Sequence, residues 1–321
     1  MAIECADRGA GAVTTADEVM ARACTIATRA IGKGGAAHVQ SFFDEATFTA
    51  THIIHDLVSL EAAIIDPVLD FDPASGRTST ISAQAVAAYV EALGLRVVLL
   101  METHAHADHL SAAPWLKARL GGEIAIGRDI VTVQETFARI FNEPASFARD
   151  GSQFDRLLGD GDGFLLGSNE GIALHVPGHT PACMAYLIGD ALFVGDTLFM
   201  PDYGTARADF PGGDAGMLFH SIRRLMRLPD ATRVFLCHDY KAPDRAQFVW
   251  ETTIGAERAH NIHVHDGIEE AGFVAMRQAR DATLGMPRLI LPSVQVNIRA
   301  GHMPEPEANG VSYLKLPIDL L

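Results

Sequence analysis

The sequence T-H-A-H-A-D-H at residues 103–109 holds the densest group of metal-binding side chains in the chain. It supplies three imidazoles, His104, His106 and His109, and one carboxylate, Asp108. Imidazole nitrogen and carboxylate oxygen suit borderline first-row metals such as zinc and iron. The segment follows an apolar run at residues 97–101 that is typical of a buried strand. A loop at the end of a strand can aim His104 and His106 at one point and the other two at a neighbouring point, so the segment predicts a metal site.

Three further ligand types occur in the same kind of position. His179, Asp196 and His238 each come shortly after a short apolar run. A single histidine after a strand is more often a structural residue than a metal ligand. Together with residues 103–109, however, the three complete an ordered set of imidazoles and carboxylates that can surround metal.

Short strands and helices alternate along the chain from about residue 42. Apolar spacing predicts helices that end at Gly94 and at Gly121, and a third at residues 218–226. Gly189-Asp190 lies between two apolar runs and indicates a two-residue hairpin. Predicted strands cover residues 53–54, 62–65, 97–101, 123–126, 172–176, 184–188, 191–194 and 234–237. This alternation favours one α/β domain over residues 38–321, including a C-terminal extension.

The first 37 residues differ from the rest and are predicted to form an N-terminal appendage that is ordered only if it docks. They are rich in Ala, Gly and Thr. Thr15 and Glu18 have the spacing of a helix capping box ahead of an apolar stretch. A helix is therefore expected to begin just after Thr15.

Composition restricts the class of partner. The 321 residues include 25 Lys plus Arg against 40 Asp plus Glu, for a net charge of −15, which repels nucleic-acid phosphates and anionic lipid headgroups. We therefore expect neither nucleic acid nor a membrane surface as a partner. Four scattered cysteines and an acidic N-terminus without an apolar core predict a cytoplasmic protein. The sequence leaves a homodimer open.

The ordered ligand set resembles that of the metallo-β-lactamase superfamily, over about residues 40–250. The resemblance implies an αββα sandwich with metal held at the strand ends between two sheets. By position, one metal site would contain His104, His106, His179 and Asp196. The other would share Asp196 and add the remaining ligands Asp108, His109 and His238.

Residues around the ligands are similar to those of persulfide dioxygenases, in particular the β-lactamase-hydrolase-like branch. The similar segments lie at residues 195–199, 204–210 and 238–240, and the N-x-R-x-G element at 297–301 extends the likeness almost to the end of the chain. Glyoxalase II shares the first of these segments. It usually has His-Glu-Tyr where this chain has His238-Asp239-Tyr240.

The dioxygenase resemblance implies one ferrous ion per chain, held by His104, His179 and Asp196. Two imidazoles and one carboxylate form the facial triad of non-haem iron oxygenases. The implied reaction oxidises glutathione persulfide, or a similar small persulfide, with O₂ to sulfite and thiol. In it His106, Asp108, His109 and His238 orient the ligands and hold protons.

Two other functions remain open at this point. Because the second metal site is complete, a hydrolase of the glyoxalase II or lactonase type with two zinc ions is the alternative. A non-enzymatic metal or sulfide sensor is disfavoured because no ligand is missing.

Four residues outside the ligand set are candidates for substrate contact. Arg207 could hold a substrate carboxylate through its guanidinium fork or could pair with Asp209. Tyr240 could donate a hydrogen bond to the substrate during the reaction or cap the core. Asn297 and Arg299 are assigned either to substrate binding or to structure.

Overall fold

The structure, a computed structural model, describes residues 15–33 and 37–320. It is an αββα sandwich, as predicted. The strands are β1 (His38–Asp44), β2 (Thr49–His55), β3 (Glu61–Ile65), β4 (Val68–Asp72), β5 (Arg77–Ser79), β6 (Arg96–Met101), β7 (Leu110–Ser111), β8 (Glu123–Gly127), β9 (Arg156–Leu158), β10 (Gly163–Leu166), β11 (Asn169–His175), β12 (Met184–Ile188), β13 (Ala191–Phe193), β14 (Arg233–Phe235) and β15 (Glu251–Thr253). The helices are α1 (Ala16–Gly32), α2 (Ile81–Ala92), α3 (Ala113–Leu120), α4 (Ile130–Ile140), α5 (Ala215–Leu225), α6 (Ile254–His260), α7 (Glu270–Asp281) and α8 (Ile290–Asn297).

Two six-stranded sheets form the centre of the fold. The first has the order β1-β2-β3-β6-β8-β9, and its last four strands run parallel. The second has the order β10 to β15, with only β13 and β14 parallel. A small third sheet, β5-β4-β7, completes the set. Gly189-Asp190 forms the predicted hairpin, because Ile188 pairs with Ala191 across it.

Continuous apolar runs are needed because the central strands are covered on both faces. In β3, Ile64 packs under the helices of the first sheet, whereas Ile65 packs between the two sheets. In β12, Leu187 packs under the helices of the second sheet and Tyr186 between the sheets. Successive side chains of a strand point to opposite faces, so both must be apolar.

The N-terminal helix is docked on the second sheet, which meets the condition under which the N-terminal appendage was expected to be ordered. The capping box of Thr15 and Glu18 is formed as predicted and starts α1. Val19, Met20 and Ile26 are buried in the cluster that covers the second sheet. Residues 1–14 and 34–36 of the predicted appendage lie outside the described residues.

The helix predicted to end at Gly121 does not include Leu110, which belongs to β7 and pairs with Leu69 of β4. The helix starts three residues later, with Pro114 in its first turn. In residues 15–33 and 37–320, no helix combines the length and hydropathy that crossing a membrane requires.

Candidate metal centre

The predicted ligands meet at one edge of the sandwich. The 103–109 segment follows β6 of the first sheet. His179, Asp196 and His238 follow β11, β13 and β14 of the second sheet. Since β13 and β14 are parallel, their carboxyl ends bring Asp196 and His238 to the same edge. All seven predicted ligands therefore lie together between the two sheets.

Three of them form a first cluster: His104, His179 and Asp196. One potential ligand atom from each lies within 4.8 Å of the other two, and His179 Nε2 is 3.6 Å from Asp196 Oδ2. His179 Nδ1 lies 2.8 Å from the backbone oxygen of Arg207. With Nδ1–H donating to that oxygen, Nε2 is left to face the cluster.

Four form a second cluster: His106, Asp108, His109 and His238, also within 4.8 Å. His238 Nε2 is 3.0 Å from Asp108 Oδ2 and 3.3 Å from Asp196 Oδ1, so Asp196 lies between the clusters. The resemblance placed His106 in the first site, whereas the structure groups it here. Its Nε2 contacts Asp66 Oδ1 at 2.9 Å, which leaves Nδ1 available to a metal ion.

The donor set fits a metal ion, as its unsatisfied atoms show. Several buried ligand atoms have no hydrogen-bond partner among the described residues: His104 Nε2, His106 Nδ1, Asp108 Oδ2, His109 Nε2, Asp196 Oδ1 and His238 Nε2. A buried polar atom without a partner costs about 1–3 kcal/mol. His238 Nε2 lies close to the oxygens of Asp108 and Asp196, so the cost is greatest for the imidazole nitrogens of His104, His106 and His109, and metal coordination would remove it.

Burial and the neighbouring charged groups shift the pKa values of His104 and His238 in opposite directions. Burial, with the neighbouring His106 and His179, holds the pKa of His104 well below its usual range. Burial also opposes charge on His238, but the carboxylates of Asp108 and Asp196 outweigh it and raise its pKa to about 9. The first cluster therefore offers a neutral imidazole, the form that binds metal.

The carboxylate of Asp66 fixes the 103–109 loop, and the sequence analysis did not identify this residue. Its carboxylate accepts from the backbone N–H of Thr103 at 2.7 Å and contacts His106 Nε2 at 2.9 Å. The acid-rich bend at residues 66–72 was the only signal for it.

Asn297 holds the same loop from above, so the structure corrects its assignment to substrate binding. Its Nδ2 donates to the backbone oxygens of His106 and His109, both at 2.8 Å. Its Oδ1 accepts from the N–H of Ser111 at 2.9 Å. The C-terminal extension thereby fixes the metal loop.

Arg299 is also corrected, because it does not reach the cavity beside the metal cluster. Its guanidinium pairs with Glu143 at 2.5 Å and lies 4.6 Å from the ring centroid of Phe147. It anchors α8 to the segment after α4.

A cavity of about 350 Å³ opens from the clusters to the surface. Asp108, His179 and Asp196 lie among its lining residues. Five aromatic residues are part of its wall: Phe48, Phe199, Tyr203, Phe210 and Tyr240. Tyr240 lines this cavity, with its ring centroid 5.6 Å from that of His238.

Arg207 lines the cavity but is paired within the protein. Its guanidinium contacts both carboxylate oxygens of Asp209, at 2.5 and 2.7 Å, and donates to the backbone oxygen of Gly285 at 2.7 Å. Of the two roles that the sequence left open, the structure shows the pairing with Asp209.

Comparisons with known proteins agree with this architecture. The family model of the metallo-beta-lactamase superfamily matches residues 61–238. A probable metallo-hydrolase of Burkholderia pseudomallei is 57% identical, with 88% of this chain and 99% of that protein covered. A beta-lactamase hydrolase-like protein of Xylella fastidiosa is 50% identical over 88% of this chain and 65% of its own length.

Proteins named for persulfide oxidation are similar at a greater distance. The mitochondrial persulfide dioxygenase ETHE1 of Bos taurus is 29% identical over 84% of this chain and 91% of its own. The crystal structure of ETHE1 from Myxococcus xanthus superposes with a TM-score of 0.65 and 30% identity, covering 83% of this chain and 100% of that one.

Proposed function

The chain belongs to the metallo-β-lactamase superfamily, and we propose that it oxidises a small persulfide with O₂ at one ferrous ion held by His104, His179 and Asp196. The observation that carries this proposal is the composition of the first cluster. Its two imidazoles and one carboxylate lie within 4.8 Å of one another, and Asp196 also lies 3.3 Å from His238 of the second cluster. That donor set is the facial triad of non-haem iron oxygenases. The similarity to ETHE1 supports it.

Iron bound there would supply the redox chemistry that O₂ requires and that zinc lacks. The balanced reaction takes one persulfide, one O₂ and one water to one thiol, one sulfite and two protons. The sulfur–sulfur bond breaks, the terminal sulfur is oxidised, and O₂ is reduced.

Residues of the chain can orient the metal ligands and hold a proton near them. The backbone oxygen of Arg207 orients His179 through Nδ1. His238, whose pKa is about 9 because of Asp108 and Asp196, can hold a proton beside the first cluster. The aromatic walls around Tyr240 limit water near the reacting sulfur.

A hydrolase with two zinc ions is the second candidate, and a specific observation favours it. The second cluster is complete, and its ligand atoms also lack hydrogen-bond partners. Two metal ions held by the two clusters would supply an activated water for the hydrolysis of a thioester or lactone. The 57% identical relative is itself named a probable metallo-hydrolase.

Oxygen consumption separates these two functions. Iron-loaded protein given glutathione persulfide should take up O₂ in proportion to the sulfite released, and His179→Ala should abolish both. Chelation should stop the reaction, and ferrous ion but not zinc should restore it. Cleavage of S-lactoylglutathione without oxygen uptake would instead identify the hydrolase.

A further inference from the structure

The backbone oxygen that orients His179 belongs to a peptide unit that is held from its other side as well. The carbonyl of Arg207 and the N–H of Ala208 lie in one plane, because the peptide bond between them does not rotate freely. The carbonyl oxygen lies 2.8 Å from His179 Nδ1. Across the same unit, the N–H of Ala208 donates to Asp281 Oδ2 at 2.9 Å. Asp281 therefore fixes the plane that contains the acceptor of His179.

Asp281 is itself held by a second buried residue. Asp281 and Arg277 both lie on α7 and are only 5% and 1% exposed. Arg277 donates from Nε to Asp281 Oδ1 at 2.9 Å and from Nη1 to the backbone oxygen of Thr205 at 3.1 Å. The guanidinium thus occupies one oxygen of the carboxylate and leaves the other to Ala208.

Stability alone is a weak explanation for this buried ion pair. Removing two charges from water carries a large desolvation cost, and apolar replacements of buried ion pairs are often equally stable or more stable. Asp281 is not among the residues that line the cavity, so direct contact with a substrate does not explain it either. What the pair does contact is the backbone of the cavity wall, at Thr205 and Ala208.

A carboxylate at the N–H of this peptide unit also affects its carbonyl oxygen. Hydrogen bonds in a chain polarise one another, and they are stronger in a site shielded from water. The charge of Asp281 therefore makes the Arg207 oxygen a better acceptor and favours the proton on His179 Nδ1. Nε2 then stays free for metal, as it does where a carboxylate bonds a metal-binding histidine directly.

We propose that Asp281 is a positioning residue for the metal ligand His179, acting through the peptide unit of Arg207 and Ala208, and that Arg277 holds Asp281 in place. The role requires only that His179 binds metal, so it is the same for either of the two candidate reactions. Through it α7 acts on the first cluster without contributing a ligand.

Replacing the ion pair with apolar residues tests this role. In zinc-loaded full-length protein, the proton on His179 Nδ1 gives an NMR signal that is identified by its absence in His179→Ala. Arg277→Met combined with Asp281→Leu should move that signal to lower chemical shift, because the hydrogen bond weakens. Zinc binding at the tightest site should weaken about tenfold.

A conservative pair of changes should restore part of both properties. Arg277→Gln combined with Asp281→Asn keeps a side-chain oxygen for the N–H of Ala208 but removes the charge. The signal should therefore move in the same direction by less, and zinc binding should weaken about threefold. A role in folding alone would leave both properties of the folded protein unchanged.

Arg233→Met combined with Asp190→Leu is the matched control, because this ion pair lies at the ends of β13 and β14 that are remote from the metal ligands. It should change neither the signal nor the zinc affinity. Urea unfolding identifies the variants that fold. An unchanged signal and affinity in the apolar variant would overturn the proposal, as would equal changes in the control. If the apolar variant does not fold, an unchanged signal in the Gln–Asn variant would overturn it.

Oxygen uptake by the iron-loaded wild type tests the proposed function separately, because neither zinc measurement depends on it. A wild type without oxygen uptake would refute the dioxygenase and leave the role of Asp281 standing.

Discussion

The metal loops and the cavity mouth are held by the fold in different ways. The loops that carry the metal ligands lie between the two sheets. They follow strands of the two central sheets, which are packed on both faces. The mouth is formed by α7 and the segment before α8, where Arg280 and Arg288 are exposed. The metal ligands are therefore fixed by the core, whereas the cavity mouth consists of surface segments that can vary without disturbing the sheets.

The sharpest test of the core side of this comparison is removal of a first-cluster ligand. His104→Ala deletes one of three donors, so bound iron and oxygen uptake should each fall on the order of a hundredfold or more. Elemental analysis and an oxygen electrode measure the two quantities.

His109→Ala is the matched change in the second cluster. If one iron per chain is held by the first cluster, this variant should keep most of its iron. Equal iron loss in both variants, or two zinc ions per chain in active wild-type protein, would show that the clusters act as one binuclear site.

A second test asks whether the C-terminal extension belongs with the core. Asn297→Ala leaves the backbone oxygens of His106 and His109 and the N–H of Ser111 without their partner. Metal affinity should fall about 10- to 100-fold, as for other groups that orient ligands. The free energy of unfolding should fall by about 1–3 kcal/mol.

Asn309→Ala removes an exposed asparagine that bonds only within its own turn. Metal titration and urea unfolding of both variants should show no effect for this one. If Asn297→Ala retained wild-type metal affinity, the extension would be a separate structural element.

The difference between the core and the surface segments also explains which site residues could be predicted from the sequence. His104 and its neighbours were identifiable because ligand types recur at fixed spacing after apolar strands, so local pattern and chemistry coincide. Substrate binding stayed open beside a structural role for Asn297 and Arg299 because an element near the chain's end carries no local sign of what it contacts. Asn297 bonds a loop 188 residues away.

A buried acid behind the cavity wall predicts pH dependence away from the metal. Burial, aided by Asp202, raises the pKa of Glu257 from 4.5 to about 8. Glu257 bonds Asn261, which donates to the backbone oxygen of Gly204 beside the cavity. From pH 4.5 to about 8 the folded state retains a proton that the unfolded chain has lost. Stability from this group therefore falls as pH rises, by up to about 1.4 kcal/mol per pH unit.

Glu257→Gln removes this titration. Urea unfolding at pH 6 and pH 8 should show the variant gaining stability relative to wild type at the higher pH, while the exposed control Glu305→Gln shows no change. Parallel curves for Glu257→Gln and wild type would mean that Glu257 is charged in the fold at both pH values.

The smallest expected effect concerns Arg207, which belongs to the cavity wall but not to its charged opening. Arg207→Lys keeps one positive charge and loses the fork that binds both oxygens of Asp209. Because the wall would loosen while the metal ligands stay in place, KM for glutathione persulfide should rise about threefold, with a smaller change in kcat. Steady-state oxygen uptake measures both constants. A rise of tenfold or more would show that Arg207 contacts the substrate directly and is not held by Asp209 alone. A fall in kcat at constant KM would instead point to His179, whose Nδ1 contacts the backbone oxygen of this residue.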